Sequence, residues 1–304
     1  MTALSLRRGA NAKTFMAAVA VALLSVGPAL SQEAASPPPA AEPIGILGDP
    51  CAALAPAPDK VIAHIAEVAR AKAAHLPAPV SSAADQALYD DWQNRLRLQD
   101  FAGHCHYDAK NAALPPATAH RVVFFGDSIT ELWGVYAPSL FTNDVVNRGI
   151  GGQTTSQMVG RFQSDVIDLH PQVVHILAGI NDIAGNTGPT TLAWIEGNVR
   201  TMVELAKAHH IRVVLAAVLP AARFAWRPSI EPISKVQALN FWMASLAKTE
   251  HVTFVDYGAV LDDGRHGFKT ALTTDGVHPN ADGYAAMRPL AERAISRARR
   301  TPAG

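Results

Sequence analysis

From Arg121 onward the chain alternates short β-branched or aromatic runs with helix-length segments, and this alternation constrains the fold more than any other feature. Runs that are apolar at consecutive positions suit strands buried on both faces. Five such strands are marked: Val122 to Phe125, Asp144 to Val146, Val173 to Leu177, Arg212 to Ala217 and Val252 to Val255. The segments Thr155 to Leu169, Leu192 to Ala208, Ile233 to Lys248 and Ala281 to Arg299 have the length and periodicity of helices. Right-handed crossovers between parallel strands then predict a three-layer α/β/α domain over residues 119–304, with helices on both faces of a five-stranded parallel sheet. A chain of 304 residues that is 49% hydrophobic and 17% charged has ample apolar side chains for such a core.

The first 118 residues follow other rules. Arg7, Arg8 and Lys13 precede an apolar stretch from Phe15 to Val26, and Ala29-Leu30-Ser31 supplies a small-residue cleavage site, so residues 1–31 read as an export signal. The apolar stretch is shorter than the roughly 20 residues a spanning helix needs, which argues against a stable membrane anchor. Arg7-Arg8 leaves the choice of export route open. Residues 32–58, rich in Ala and Pro, form a linker. Residues 59–118 form a helical extension: Val61, Ile62, Ile65, Val68 and Ala69 share one helical face, and Leu88, Tyr89, Trp92 and Leu96 share another. It is expected to be a collar held to the main domain by a disulfide rather than a substrate lid.

Lys and Arg balance Asp and Glu at 26 each, and removal of the signal leaves a net charge of about −3. Nothing in that balance calls for a nucleic-acid partner, and no obligate protein partner is evident. Outside the cytosol a lone pair of cysteines forms a bridge more often than reactive thiols, so Cys51 is expected to pair with Cys105. His104-Cys105-His106 has no second ligand cluster at matching spacing, and no metal or other cofactor is expected.

In a parallel sheet of this kind ligands bind beyond the carboxyl ends of the strands. Four polar blocks lie there: Gly126-Asp127-Ser128-Ile129-Thr130, Gly149-Ile150-Gly151-Gly152-Gln153-Thr154-Thr155, Gly179-Ile180-Asn181-Asp182 and Asp275-Gly276-Val277-His278-Pro279. In this order they resemble the four blocks of the SGNH hydrolases, also called the GDSL esterase/lipase family. The stretch Asn147 to Arg161 is similar to the branch holding the catalytic subunits of platelet-activating-factor acetylhydrolase and many exported bacterial esterases. Ile129-Thr130 stands where the family name has a leucine, and touches no catalytic position.

The resemblance implies a flavodoxin-like sheet, a nucleophilic Ser128, a general base His278 and an orienting carboxylate Asp275. It also implies an oxyanion hole built from the backbone N–H groups of Ser128 and Gly152 and the side-chain amide of Asn181. Elementary chemistry agrees, since a serine hydroxyl needs a base and an oriented imidazole, and a short turn from Asp275 to His278 supplies both. Asp127 and Asp182 are read as structural acceptors. Trp133, Phe224 and Trp226 follow strands one and four and are candidates to line a substrate slot.

These readings describe an exported serine esterase acting on short-chain, acetyl-type esters of a small molecule or a glycan. Its alternatives are a lysophospholipase or thioesterase of the same fold, and a non-catalytic carbohydrate-binding protein.

Overall fold

The computed structural model describes residues 48–73 and 79–301. The signal segment 1–31 and residues 32–47 of the linker lie outside the described residues. In chain order the elements used below are α1 (Asp59–Ala73), α2 (Ala83–Gln99), α3 (Asp108–Ala112), β1 (Val122–Gly126), α4 (Ser128–Tyr136), β2 (Val145–Gly149), α5 (Thr155–Asp165), β3 (Val173–Leu177), α6 (Ile180–Ile183), α7 (Leu192–Ala208), β4 (Arg212–Ala216), α8 (Ile233–Thr249), β5 (Thr253–Val255), α9 (Gly258–Leu261) and α10 (Ala281–Arg300).

The strands form one parallel sheet in the order β2-β1-β3-β4-β5. Every residue of β1 and β3 is buried, which is why both read as near-continuous apolar runs, broken only in β3 by the fully buried His175. Helices α4, α9 and α10 cover one face, and α5, α7 and α8 cover the other. The chain order of the strands reverses between β1 and β3, so their following segments leave in opposite directions and open a crevice at their carboxyl ends. Ser128 follows β1, and Asn181 follows β3.

Close backbone approach fixes that rim. Gly126 of β1 pairs with Gly149 of β2, and a Cβ on Gly149 would stand 2.2 Å from the backbone nitrogen of Glu131. Only glycine lets the first turn of α4 settle against the end of β2. From the far end of the chain, the Tyr284 hydroxyl of α10 donates to the Ile129 carbonyl at 2.7 Å. That bond ties the helix after the His278 loop to the helix that begins with Ser128.

The extension has its own small core of Val61, Ile65, Val68, Tyr89 and Trp92. Ile62 stays outside it at 45% exposure, so the α1 stripe is narrower than its periodicity suggests. Cys51 and Cys105 are bonded, with Cα atoms 5.3 Å apart. The bridge corrects one expectation: it joins the lead-in to the turn at His104–His106 and does not staple the extension to the sheet domain. Hydrogen bonds do that work. The Tyr107 hydroxyl donates to the Gly149 carbonyl, Gln153 Nε2 to the Ala102 carbonyl at 2.8 Å, and Gln157 Nε2 to the Phe101 carbonyl at 2.9 Å.

Candidate active site

Ser128 is the first residue of α4, capped by Asp127, whose Oδ1 accepts from the Ile129 N–H at 2.9 Å. At that position its own N–H has no intrahelical partner and points with the positive end of the helix. The hydroxyl lies 2.9 Å from Nε2 of His278, a residue 150 positions away. Nδ1 of the same ring lies 2.7 Å from Asp275 Oδ2. Hydroxyl, imidazole and carboxylate therefore form one hydrogen-bonded chain, with Ser128 and His278 only 3% and 4% exposed.

The Asp275–His278 turn is held from within. Asp275 Oδ1 accepts from the N–H groups of Val277 and His278 at 3.0 and 2.8 Å. The Thr273 hydroxyl donates to the His278 carbonyl at 2.7 Å, and a bridge pairs Thr273 with Pro279. Burial alone would raise the Asp275 carboxyl, but the charge of His278 and the hydrogen bonds from His278 and Val277 outweigh it and hold it at about 2. Asp275 is therefore an anion at any pH near neutrality, able to orient the ring and stabilise its protonated form.

The second loop carries Gly152 at φ +77°, a left-handed conformation that side chains resist. Asn181 Nδ2 donates to the Gln153 carbonyl at 2.9 Å, leaving its other N–H for a ligand. Its Oδ1 accepts from Asn186 Nδ2 at 2.9 Å, and Asn186 also donates to the Gly152 carbonyl at 3.1 Å. Asn186 thus sets which edge of the Asn181 amide faces the site. Asp182 anchors the same loop, accepting from the Thr155 N–H at 2.9 Å and the Thr155 hydroxyl at 2.6 Å.

Both flanking carboxyls are acceptors, yet neither is a simple anion. Burial pushes Asp127 up to about 7, against the Ile129 hydrogen bond and the nearby His278, with Asp182 adding to the rise. Burial likewise pushes Asp182 up to about 6, against the two bonds from Thr155.

Arg161 and Asn186 are missing from the site as read along the chain. Fully buried in α5, Arg161 donates to the carbonyls of Gly126 and Arg148, both at 2.9 Å, to Gln153 Oε1 at 2.6 Å and to Asp165 Oδ2 at 2.8 Å. One guanidinium thus clamps the ends of β1 and β2 to the Gly152 loop. Its signal was a cation between Met158 and Phe162 on the inward face of the helix.

The aromatic candidates divide. Trp133 is wholly buried, ringed by Phe124, His175, Tyr257 and Tyr284, so it is core and lines no slot. It shares one face of α4 with Ile129 and Leu132, and that face packs inward. Phe224 is also fully buried and lies beneath Trp226, their centroids 5.2 Å apart. Trp226 alone reaches the site, 6.3 Å from the His278 ring. In the His104-Cys105-His106 turn the sulfur is committed to the disulfide and offers no thiolate.

Comparison with known proteins agrees with this arrangement. The GDSL-like Lipase/Acylhydrolase family matches residues 124–286. A GDSL-like lipase from Bacteroides thetaiotaomicron superposes with a TM-score of 0.63 at 43% identity, covering 65% of this chain and 99% of that one. An isoamyl acetate-hydrolyzing esterase of Saccharomyces cerevisiae is 26% identical over 197 residues, 54% of this chain and 81% of its own. An uncharacterized lipoprotein of Bacillus subtilis is 31% identical over 117 residues, 37% of this chain, and the match spans about half of that relative, 48%. With its family-matched stretch running from within β1 into α10, the chain belongs to the GDSL-like lipase/acylhydrolase family, the SGNH hydrolases, a family of ester-hydrolysing enzymes.

Proposed function

We propose that this protein is an exported serine esterase that removes short acyl groups, acetyl foremost, from a hydroxylated carbohydrate through an acyl-Ser128 intermediate. The observation that carries the reading is the chain from Ser128 Oγ through His278 to Asp275, with contacts of 2.9 and 2.7 Å. Ser128 attacks the ester carbonyl carbon while His278 Nε2 takes its proton. The carbonyl electron pair moves onto oxygen, where the N–H groups of Ser128, Gly152 and Asn181 receive the charge. Collapse breaks the bond to the alcohol, which leaves with the proton from Nε2. Water then attacks the acyl carbon, passing its proton to Nε2, and the second collapse returns that proton to Ser128 Oγ and frees the acid.

The acetyl preference draws on the yeast relative, whose name places it on an acetate ester. Export draws on the Cys51–Cys105 bridge and on the lipoprotein relative. The carbohydrate preference draws on Trp226 beside the imidazole. The test is hydrolysis of p-nitrophenyl acetate by the wild type and by Ser128→Ala. Equal rates would remove the enzyme reading. An acyl series from acetyl to dodecanoyl that peaked at long chains would replace the deacetylase with a lysophospholipase or thioesterase.

A further inference from the structure

A cavity of about 750 Å³ lies between the N-terminal extension and the rim of the sheet. One wall is α2, which presents Tyr89, Gln93 and Arg97 among others, and the opposite wall is Gly152 with Trp226 and Arg227. The cavity therefore touches the proposed oxyanion loop on one side and the indole beside His278 on the other. It is lined by residues that precede the family-matched stretch as well as by residues within it.

We infer that this cavity is the subsite for the alcohol half of the ester, a polyhydroxylated group of one or two sugar units, and that α2 is a specificity wall of the enzyme. The inference rests on the esterase reading above and deepens it. Volume is the first argument, because cavities of about 300–1,000 Å³ hold whole drug-sized ligands and a two-carbon acyl group needs a small fraction of that. Position is the second. The leaving oxygen takes its proton from His278 Nε2, so the group attached to it departs past the imidazole, where Trp226 offers a flat face into the cavity.

Polar chemistry is the third. Gln93, Asn94 and Arg97 of α2 line the cavity together with Asn186 and Arg227. Amides and guanidinium groups of this kind suit a ligand whose hydroxyls both donate and accept. An aliphatic chain in the same place would take water from these groups and return no hydrogen bond.

The test uses the full chain with Gln86→Leu, Gln93→Leu and Arg97→Leu combined, all on half-buried or exposed positions of α2. With mono-acetylated cellobiose or xylobiose, kcat/KM should fall about tenfold or more through KM, while p-nitrophenyl acetate turnover stays within about twofold. Equal losses on both substrates, or no loss on either, would overturn the inference. So would wild-type preference for a lysophospholipid over the acetylated disaccharides. Calorimetry supplies a readout that needs no turnover: Ser128→Ala should bind cellobiose or xylobiose, and adding the three α2 substitutions should abolish that binding. No binding by Ser128→Ala would sink the subsite even with the esterase intact. Binding by a wild type that fails to cleave p-nitrophenyl acetate would sink the esterase reading, and with it the cavity's role as an alcohol subsite, leaving a carbohydrate-binding cavity.

Discussion

Asp275 grips His278 at two points, its Oδ2 on the imidazole Nδ1 at 2.7 Å and its Oδ1 on the His278 backbone N–H at 2.8 Å. Ring and backbone are thus oriented by one carboxylate. Because that carboxylate is an acceptor only, Nδ1 must carry the hydrogen and Nε2 must be the acceptor that faces Ser128.

Asp275→Asn should keep the backbone contacts of the turn and reverse the hydrogen on the ring. An amide N–H facing Nδ1 forces the proton onto Nε2, which then cannot accept from Ser128. In steady-state kinetics kcat should fall on the order of 10⁴-fold with KM little changed, as when the equivalent change is made in other triads. A loss below about tenfold would show that the carboxylate does not set the tautomer.

Asn181→Ala removes the proposed side-chain donor to the oxyanion and should lower kcat by about 10²–10³. Asn186→Ala leaves that donor in place but releases the amide edge it holds, so a smaller loss, on the order of tenfold, is expected. Identical losses in the two variants would mean that Asn181 acts only through loop structure.

Arg161→Met leaves Asp165 buried and unpaired and frees the Gly126 and Arg148 carbonyls. Breaking a buried pair in this way typically costs about 3–5 kcal/mol, readable as a shift in urea midpoint. Arg161→Lys should not restore stability, since a single ammonium cannot reproduce the fork that meets Gln153, Asp165 and two carbonyls.

Asp127 and Asp182 predict an inverse pH dependence of stability. Their native carboxyls bind protons more tightly than in the unfolded chain, so the stabilisation is present below about pH 4 and lost as the pH rises towards about 7 for Asp127 and about 6 for Asp182. For Asp127 the effect is on the order of 4 kcal/mol. Thermal melts should show the wild type losing more stability than Asp127→Asn between pH 5 and 8, because the amide keeps an oxygen for the Ile129 N–H and cannot ionise. Parallel curves would show that Asp127 does not titrate in this range.

Replacing Cys51 and Cys105 by Ser opens a loop with a sequence separation of 54 and should cost up to about 4 kcal/mol on the chain-entropy model. Both cysteines lie before β1, so proteolysis should reach α1 and α2 first and leave the sheet domain intact. Simultaneous loss of both parts would mean that the extension is integral to the main core.

The five strands, the lengths of α7, α8 and α10 and the order of the four rim blocks were legible along the chain, because each depends on local periodicity or on short turns that neighbouring residues dictate. The Asp275–His278 turn is of that kind. The helix expected over Thr155 to Leu169 instead ends at Asp165, where Val166 leaves the helical conformation and a 3-10 turn follows over Ile167–Leu169. What lay beyond the sequence was the destination of each side chain. Trp133 and Phe224 follow strand ends as Trp226 does, yet only Trp226 of the three reaches the imidazole, since Tyr257 and Tyr284, from the far end of the chain, close over Trp133. The pairing of Cys51 with Cys105 was readable by count, but which parts it would join was not. Nor could periodicity reveal that α2 turns a wall of polar side chains towards Gly152, or that Arg161 would gather two strand ends and a loop. Local pattern is set by residues a few positions apart, whereas burial and convergence follow from the simultaneous packing of segments up to 150 positions apart, and only the assembled fold decides them.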